Sequence, residues 1–415
     1  MLLSGYIIVL ILIFAEVLNI LVEKVNDKYI TNAAANPPKK VLDIYSKDEI
    51  AQSSFYHIDK SKVAYYENVM HGILFFSLLL LGTFQWFSSE LIDTFGNEYK
   101  MAFIFFLVFR LFFGLIGLPF DIYETFVVEK KYHFNKITPL LYVRDLLVGG
   151  IVSFAIFTVL LFLVMFLISS AGRFWYIYAA VAVFMFSMLM MYLYPTLIAP
   201  LFNKFEPLKD KNLKEKIFKL AEKAKFPLKN IMQMDASKRS SHSNAYFTGF
   251  GKNKRIVLFD TLLQNHKENE ILNILAHEIG HYKLGHLKKI LVFMFVSVFV
   301  SFFLVHVLIS SDFIYDALGF EKSIFIGLFI LSFLLAPADT IFAPLFSSIS
   351  RKHEYEADKF AVSLTGDISG MKEALIKLHK DNLSFPLPHP VYVKMHYSHP
   401  PLPERIYFLE KIREQ

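Results

Sequence analysis

Residues 277–309 read HEIGHYKLGHLKKILVFMFVSVFVSFFLVHVLI. Two histidines bracket a glutamate at the start, and a largely apolar run, 289–309, follows almost at once. On a helix, His277 and His281 lie one turn apart on the same face, so both imidazoles can grip one tetrahedral zinc. Glu278 is one residue on, about 100° around the helix, from where its carboxylate reaches a metal-associated water rather than the metal. The apolar run is long enough to cross the roughly 30 Å of a bilayer core. A hydrolytic metal motif set against a membrane span is therefore the frame for the rest of the chain.

Working outward, similar runs lie near 2–22, 68–87, 101–118, 147–169, 174–194 and 323–343, so about seven spans are expected. Composition agrees. Of 415 residues, 55% are hydrophobic and only 19% charged, below the roughly 25% of soluble proteins. The first run follows no basic residue and precedes no clear A-x-A-like site, so it reads as a span rather than a cleaved signal. There is no cysteine, which excludes disulfides, thiolate metal ligands and a cysteine nucleophile.

The formal net charge is +6. The Lys and Arg lie mostly in loops between apolar runs, so they read as an orientation signal and no nucleic-acid partner is expected. Segments 23–66, 119–146 and 195–288 are basic, whereas 88–100 and 310–322 are mainly acidic. Alternation then puts 195–288 and the C-terminus on the cytoplasmic side and the N-terminus outside. Three charges fall within spans: Glu16, Arg110 and Asp339. Intramembrane charges line wet cavities, pair or snorkel; for Asp339, close to the interface, the last two are favoured.

In the polar segment 195–288, residues 211–226 have a helical apolar period. Runs 230–236, 244–250 and 255–260 read as strands, with Gly251-Lys252-Asn253-Lys254 as a hairpin turn. Residues 243–250 (SNAYFTGF) read as an edge strand to which an extended peptide can pair, through Asn244, Ala245 and Tyr246. A catalytic zinc needs a third protein ligand. His286, five residues after His281 and about 140° around, should not join the site. Glu354, in 351–358 (RKHEYEAD), is a candidate, with Asp358 on the same helical face orienting a ligand imidazole. His353 and Glu356 are rivals that spacing alone does not eliminate.

These residues, with 125–136 (TFVVEKKYHFNK), 198–208 (IAPLFNKFEPL), 235–263 (DASKRSSHSNAYFTGFGKNKRIVLFDTLL), 353–358 (HEYEAD) and 397–405 (YSHPPLPER), resemble the integral-membrane CAAX prenyl protease 1 family, zinc enzymes that process prenylated proteins. The resemblance covers nearly the whole chain. It implies an all-α multi-pass membrane protein, with seven helices around a water-filled chamber and a zinc metalloprotease domain containing a small β-sheet. It implies one zinc per chain, with Glu354 as third ligand and Asp358 behind a ligand. Asn244 and His399 fall at positions linked to oxyanion stabilisation, and Arg405 beside them as a support. The implied partners are membrane lipid and a peptide or protein substrate, prenylated as in the family.

The expected organisation is membrane helices in 1–194, the first protease part in 195–288, two further spans in 289–343 and the second protease part in 344–415. Only 264–270 stands where eukaryotic members carry a long hydrophilic insertion, and no retention signal is obvious at the end. Both fit a compact prokaryotic relative in the plasma membrane; a eukaryotic one belongs in the endoplasmic reticulum or nuclear membrane. The alternative readings are a membrane quality-control protease and a non-proteolytic, zinc-containing membrane chaperone.

Overall fold

The computed structural model describes residues 1–249 and 254–413, apart from the side chains of Ala336, Ala338, Asp339 and Arg413. Except for Lys254, the expected hairpin turn lies outside the described residues, as does the Asp339 side chain.

The principal helices are α1 (Leu3–Ala35), α2 (Lys47–Leu80), α3 (Glu98–Lys131), α4 (Pro139–Ser170), α5 (Gly172–Phe202), α6 (Lys211–Lys223), α7 (Glu268–Lys283), α8 (His286–Ser310), α9 (Ile324–Leu334), α10 (Ala336–Thr365), α11 (Ile368–Asp381), α12 (Pro390–His396) and α13 (Leu402–Arg413). Six of them, α1–α5 and α8, are long and apolar enough to cross a membrane. The 34 residues of α2 make a rod of about 50 Å, so its polar first half stands clear of the bilayer and carries the membrane frame into the protease region.

The seventh expected span is divided. Helix α9 has 11 residues, about 17 Å against a core of about 30 Å. The chain re-enters a helix at Ala336 with Pro337 in its first turn, where a missing N–H costs nothing. Helix α10, with Pro344 in its interior, then runs on to the protease region.

The membrane helices pack through phenylalanine at one end. Phe84, Phe105, Phe325 and Phe329 are buried, and the ring centroids of Phe84 and Phe109 are 4.5 Å apart. Leu2 N donates to Ala317 O, and Gln85 Nε2 to Leu318 O, so the N-terminus, 83–94 and 312–318 meet at that end. The protease region sits at the other end. There, Arg239 Nε donates to Asp145 Oδ2 at 2.7 Å, tying it to the start of α4. Leu3, Leu81, Leu115 and Leu140 are exposed, as a lipid-facing surface requires.

Between α1, α2, α10 and residues 382–397 lies a polar cavity of about 700 Å³. A second, of about 400 Å³, shares Glu16, Asn19, Asn68 and Thr340 with it. Glu16 thus faces a cavity. Arg110 instead donates to Ser153 Oγ on α4 at 2.5 Å and lines neither cavity.

The sheet has four strands: β1 (Phe205–Pro207), β2 (Leu228–Met234), β3 (Ala245–Thr248) and β4 (Lys254–Phe259). Their order is β1-β2-β4-β3, with β2 and β4 parallel and the outer pairs antiparallel. β3 is therefore an edge strand, as read from the sequence, and it packs against α7.

Candidate metal centre

Helix α7 starts where Lys267 N donates to Glu270 Oε2 at 3.0 Å, satisfying one of the free amides of a helix start. Its buried residues Ile271, Ile274, Leu275 and Ile279 follow the helical period and fix which face turns inward. The contact with α10 is made by small residues. A Cβ on Gly280 would come within 3.2 Å of Ala357 Cα and O, while Ala276, Ala357 and Ala361 are fully buried. The close approach at Gly280 and Ala357 brings Glu354 opposite the two histidines.

The three expected ligands converge. His277 Nε2 and His281 Nε2 are 3.1 Å apart. Glu354 Oε1 lies 3.2 Å from His281 Nε2, and Oε2 lies 3.4 Å from His277 Nε2. Around a tetrahedral zinc with ligands at about 2.0–2.2 Å, neighbouring donor atoms stand about 3.3–3.6 Å apart, so this set fits such an ion. Glu354 Oε2 is buried without a hydrogen bond of good geometry. Burial works against charge on His277, yet Asp358 and Glu354 push it up to about 9. The same environment acts in reverse on Glu354, where the histidines outweigh burial and hold the carboxyl far below its usual range. The pocket favours positive charge, which a divalent cation supplies.

Asp358 and Arg405 stand behind the cluster. Asp358 Oδ1 is 2.8 Å from His277 Nδ1, and Arg405 donates to both Asp358 oxygens, at 2.8 and 2.6 Å. Arg405 Nη1 is also 3.6 Å from Glu354 Oε2. Asp358 is fully buried; burial raises its carboxyl, but Arg405 and His277 prevail and keep it low. His399, between α12 and α13, brings Nδ1 to 2.7 Å from Glu354 Oε2 and is largely exposed.

Glu278 is partly exposed on α7 and makes no hydrogen bond or ion pair among the described residues. Burial pushes its carboxyl up, against the pull of His277 and His281. Asn244 is exposed at the start of β3. Its Oδ1 accepts from Ala245 N and its O from Phe259 N, and no hydrogen bond among the described residues joins it to the cluster. Ala245 and Tyr246 pair with Leu258 and Val257.

His286, left out of the set by helical phase, is grouped elsewhere in the structure as well. His286 is no ligand of this set, but its Nδ1 lies 3.0 Å from His281 Nδ1. The 140° estimate assumed one continuous helix, and Gly285, at φ +69°, ends it. The rivals His353 and Glu356 group with His286. The signal for this was Gly285 itself, a residue that favours left-handed helix ends.

Two family models match in tandem. One, described as CAAX prenyl protease N-terminal, five membrane helices, covers residues 27–204, and peptidase family M48 covers 207–413. The chain is 37% identical to the CAAX prenyl protease 1 homolog of Arabidopsis thaliana over 89% of each chain. It is 34% identical to the Homo sapiens homolog over 91% of this chain and 89% of that one. The chain belongs to peptidase family M48. This M48 protein also matches the crystal structure of S. mikatae Ste24p with a TM-score of 0.92 and 30% identity, over 99% of this chain and 100% of that one. It is an integral multi-pass membrane metalloprotease whose substrates are peptides or proteins.

Proposed function

We propose that this M48 protein is a zinc endopeptidase in which His277, His281 and Glu354 hold one ion per chain. The observation that carries the reading is the 3.1–3.4 Å convergence of their donor atoms, with Glu278 next to the first histidine and without a hydrogen bond or ion pair among the described residues. When bound, zinc polarises a carbonyl and lowers the pKa of water from 15.7 towards about 7. Glu278 takes the proton of the attacking water and passes it to the leaving amine, a role that suits a carboxyl already raised by burial. Asp358, clamped by Arg405, holds the proton of His277 on Nδ1 and so keeps Nε2 free to bind metal.

His399 and Asn244 donate to the developing oxyanion from opposite sides of the chain's order, one before α13 and one at the head of β3. The substrate lies extended along the free edge of β3, beside Asn244, Ala245 and Tyr246 and paired through the main chain. Main-chain pairing asks little of side chains, so specificity falls to what else the substrate carries. The relatives are named CAAX prenyl proteases, and we assign this chain the same substrate class, proteins with a prenylated C-terminus. Segments 1–194 and 289–343 form the membrane ring, 195–288 and 344–415 the protease. Lysine distribution puts the protease on the cytoplasmic side.

The test is cleavage by the purified full chain of one peptide in farnesylated and unmodified forms, with Glu278→Gln alongside. The expected result is cleavage that favours the farnesylated peptide and falls by about 10²–10⁴-fold in Glu278→Gln, with zinc content unchanged. Near-normal turnover in that variant overturns the base assignment. Equal cleavage of both peptides overturns the substrate class.

A further inference from the structure

His286 is only 1% exposed, yet the mechanism above does not use it. Helix α7 ends at Gly285, whose φ of +69° turns the chain so that α8 begins with His286 packed against His281. His286 Nδ1 faces His281 Nδ1 at 3.0 Å, and His286 Nε2 faces Glu356 Oε2 at 2.9 Å. The His353 ring stacks on His286, with centroids 4.0 Å apart and planes 12° apart.

We infer that His286 and Glu356 are positioning residues that hold the metal ligand His281 in its binding tautomer and orientation. The inference rests on the ligand assignment above. A neutral imidazole has one ring proton. With Nε2 turned to the metal, His281 carries that proton on Nδ1 and donates it to the Nδ1 lone pair of His286. The proton of His286 is then on Nε2, where Glu356 accepts it. Every nitrogen in the chain has one role, and no donor meets a donor.

The same side chains also suggest a second metal set, because His286, His353 and Glu356 have donor atoms within 4.8 Å of one another. The tautomers oppose it. A metal on His286 Nε2 would move the ring proton to Nδ1, where it would face the Nδ1 proton of His281 at 3.0 Å. Lys289 Nζ, 3.9 Å from Glu356 Oε2, adds positive charge where a cation would sit. The relay has a consequence for the membrane part. His286 is the first residue of the apolar helix α8, so the support of one metal ligand is built directly on a membrane span.

The experiment measures zinc affinity of the full-length protein by chelator competition, with zinc stoichiometry and the thermal midpoint of the metal-stripped protein. His286→Leu should weaken zinc binding by about 10–100-fold with the stripped midpoint little changed. His286→Asn, whose amide can accept from His281, should recover most of that affinity. Glu356→Ala truncates a side chain that is 36% exposed and tests the relay without disturbing the core; it should also weaken binding, by less than His286→Leu. Wild-type affinity in Glu356→Ala and His286→Leu, or equal losses in the Leu and Asn variants, overturns the relay. Two zinc ions per wild-type chain, one of them lost in His286→Leu, overturns it in favour of a second metal site. His281→Ala separates the two readings: zinc retained there sinks the ligand assignment itself, whereas zinc lost there but held normally in His286→Leu sinks only the relay.

Discussion

The two histidines of the metal centre are supported in different ways. Behind His277 stands Asp358, fully buried and held by both arms of the Arg405 guanidinium. Behind His281 stands another imidazole, His286, backed by Glu356 at the protein's edge. The carboxylates of both supports come from α10, yet Asp358 is four residues after Glu354 and shares its face, whereas Glu356 is two residues after it and about 200° around. One turn of helix therefore serves the centre directly, and the residues between serve it through the start of α8. The first support is a buried charge pair, costly to form and costly to leave incomplete. The second is a chain of neutral rings ending at a half-exposed carboxylate, cheaper to alter and joined to a membrane helix.

The change that should break the comparison altogether is Glu354→Ala. It removes the carboxylate shared by both halves, so metal analysis of the purified protein should find zinc lost and cleavage absent. Stoichiometric zinc in Glu354→Ala, with loss in His353→Ala, would make His353 the third ligand instead.

His399 belongs to neither half, since it reaches Glu354 from the segment before α13. His399→Ala should lower kcat by about 10²–10³-fold, with zinc content intact and KM little changed, the mark of an interaction made mainly in the transition state. Asn244→Ala should behave alike. Lost zinc or a purely raised KM would place His399 in one of the halves or on the substrate.

The asymmetry itself is measured by Asp358→Asn. Zinc affinity should fall by about 10–100-fold, and the thermal midpoint of the metal-stripped protein should fall too, because Arg405 keeps its charge in a buried place without its partner. Glu356→Ala should leave that midpoint unmoved. Equal midpoints in the two variants would erase the distinction.

The smallest effect expected is from Gly280→Ala. The added Cβ meets Ala357 backbone atoms at 3.2 Å and forces a few tenths of an ångström between α7 and α10. Overpacking of this kind costs about 1–3 kcal/mol, visible in thermal unfolding, and should weaken zinc binding on both sides together, since Glu354, Asp358 and Glu356 all ride on α10.

Much of this was legible in the chain of residues, and the divisions follow from range. Helical period places His277, Glu278 and His281 correctly, because a turn of α-helix is set by local hydrogen bonds. Apolar length locates the six long spans for the same reason that the bilayer demands them. The β-like runs find three of the four strands and miss β1, which is only three residues long. The third ligand was different: His353, Glu354 and Glu356 remain rivals while α10 is read alone, because phase along one helix says nothing about its register against another. That register comes from Gly280 meeting Ala357. His286 stays outside the set, as helical phase predicts; what was not legible is how close it comes to His281, because the left-handed backbone of Gly285 redirects the next helix.

What the amino-acid sequence determined by itself is the chemistry available and the local geometry: two imidazoles and a carboxylate at helical spacing, next to membrane-length apolar runs. These are consequences of interactions within a few residues. Only the tertiary structure decided which carboxylate meets the two histidines, that β3 is left at the sheet's edge, and which side chain stands behind each histidine. Those depend on packing between segments far apart in the chain, where small residues set how closely helices approach and buried charges accept only a partner that arrives at the right place.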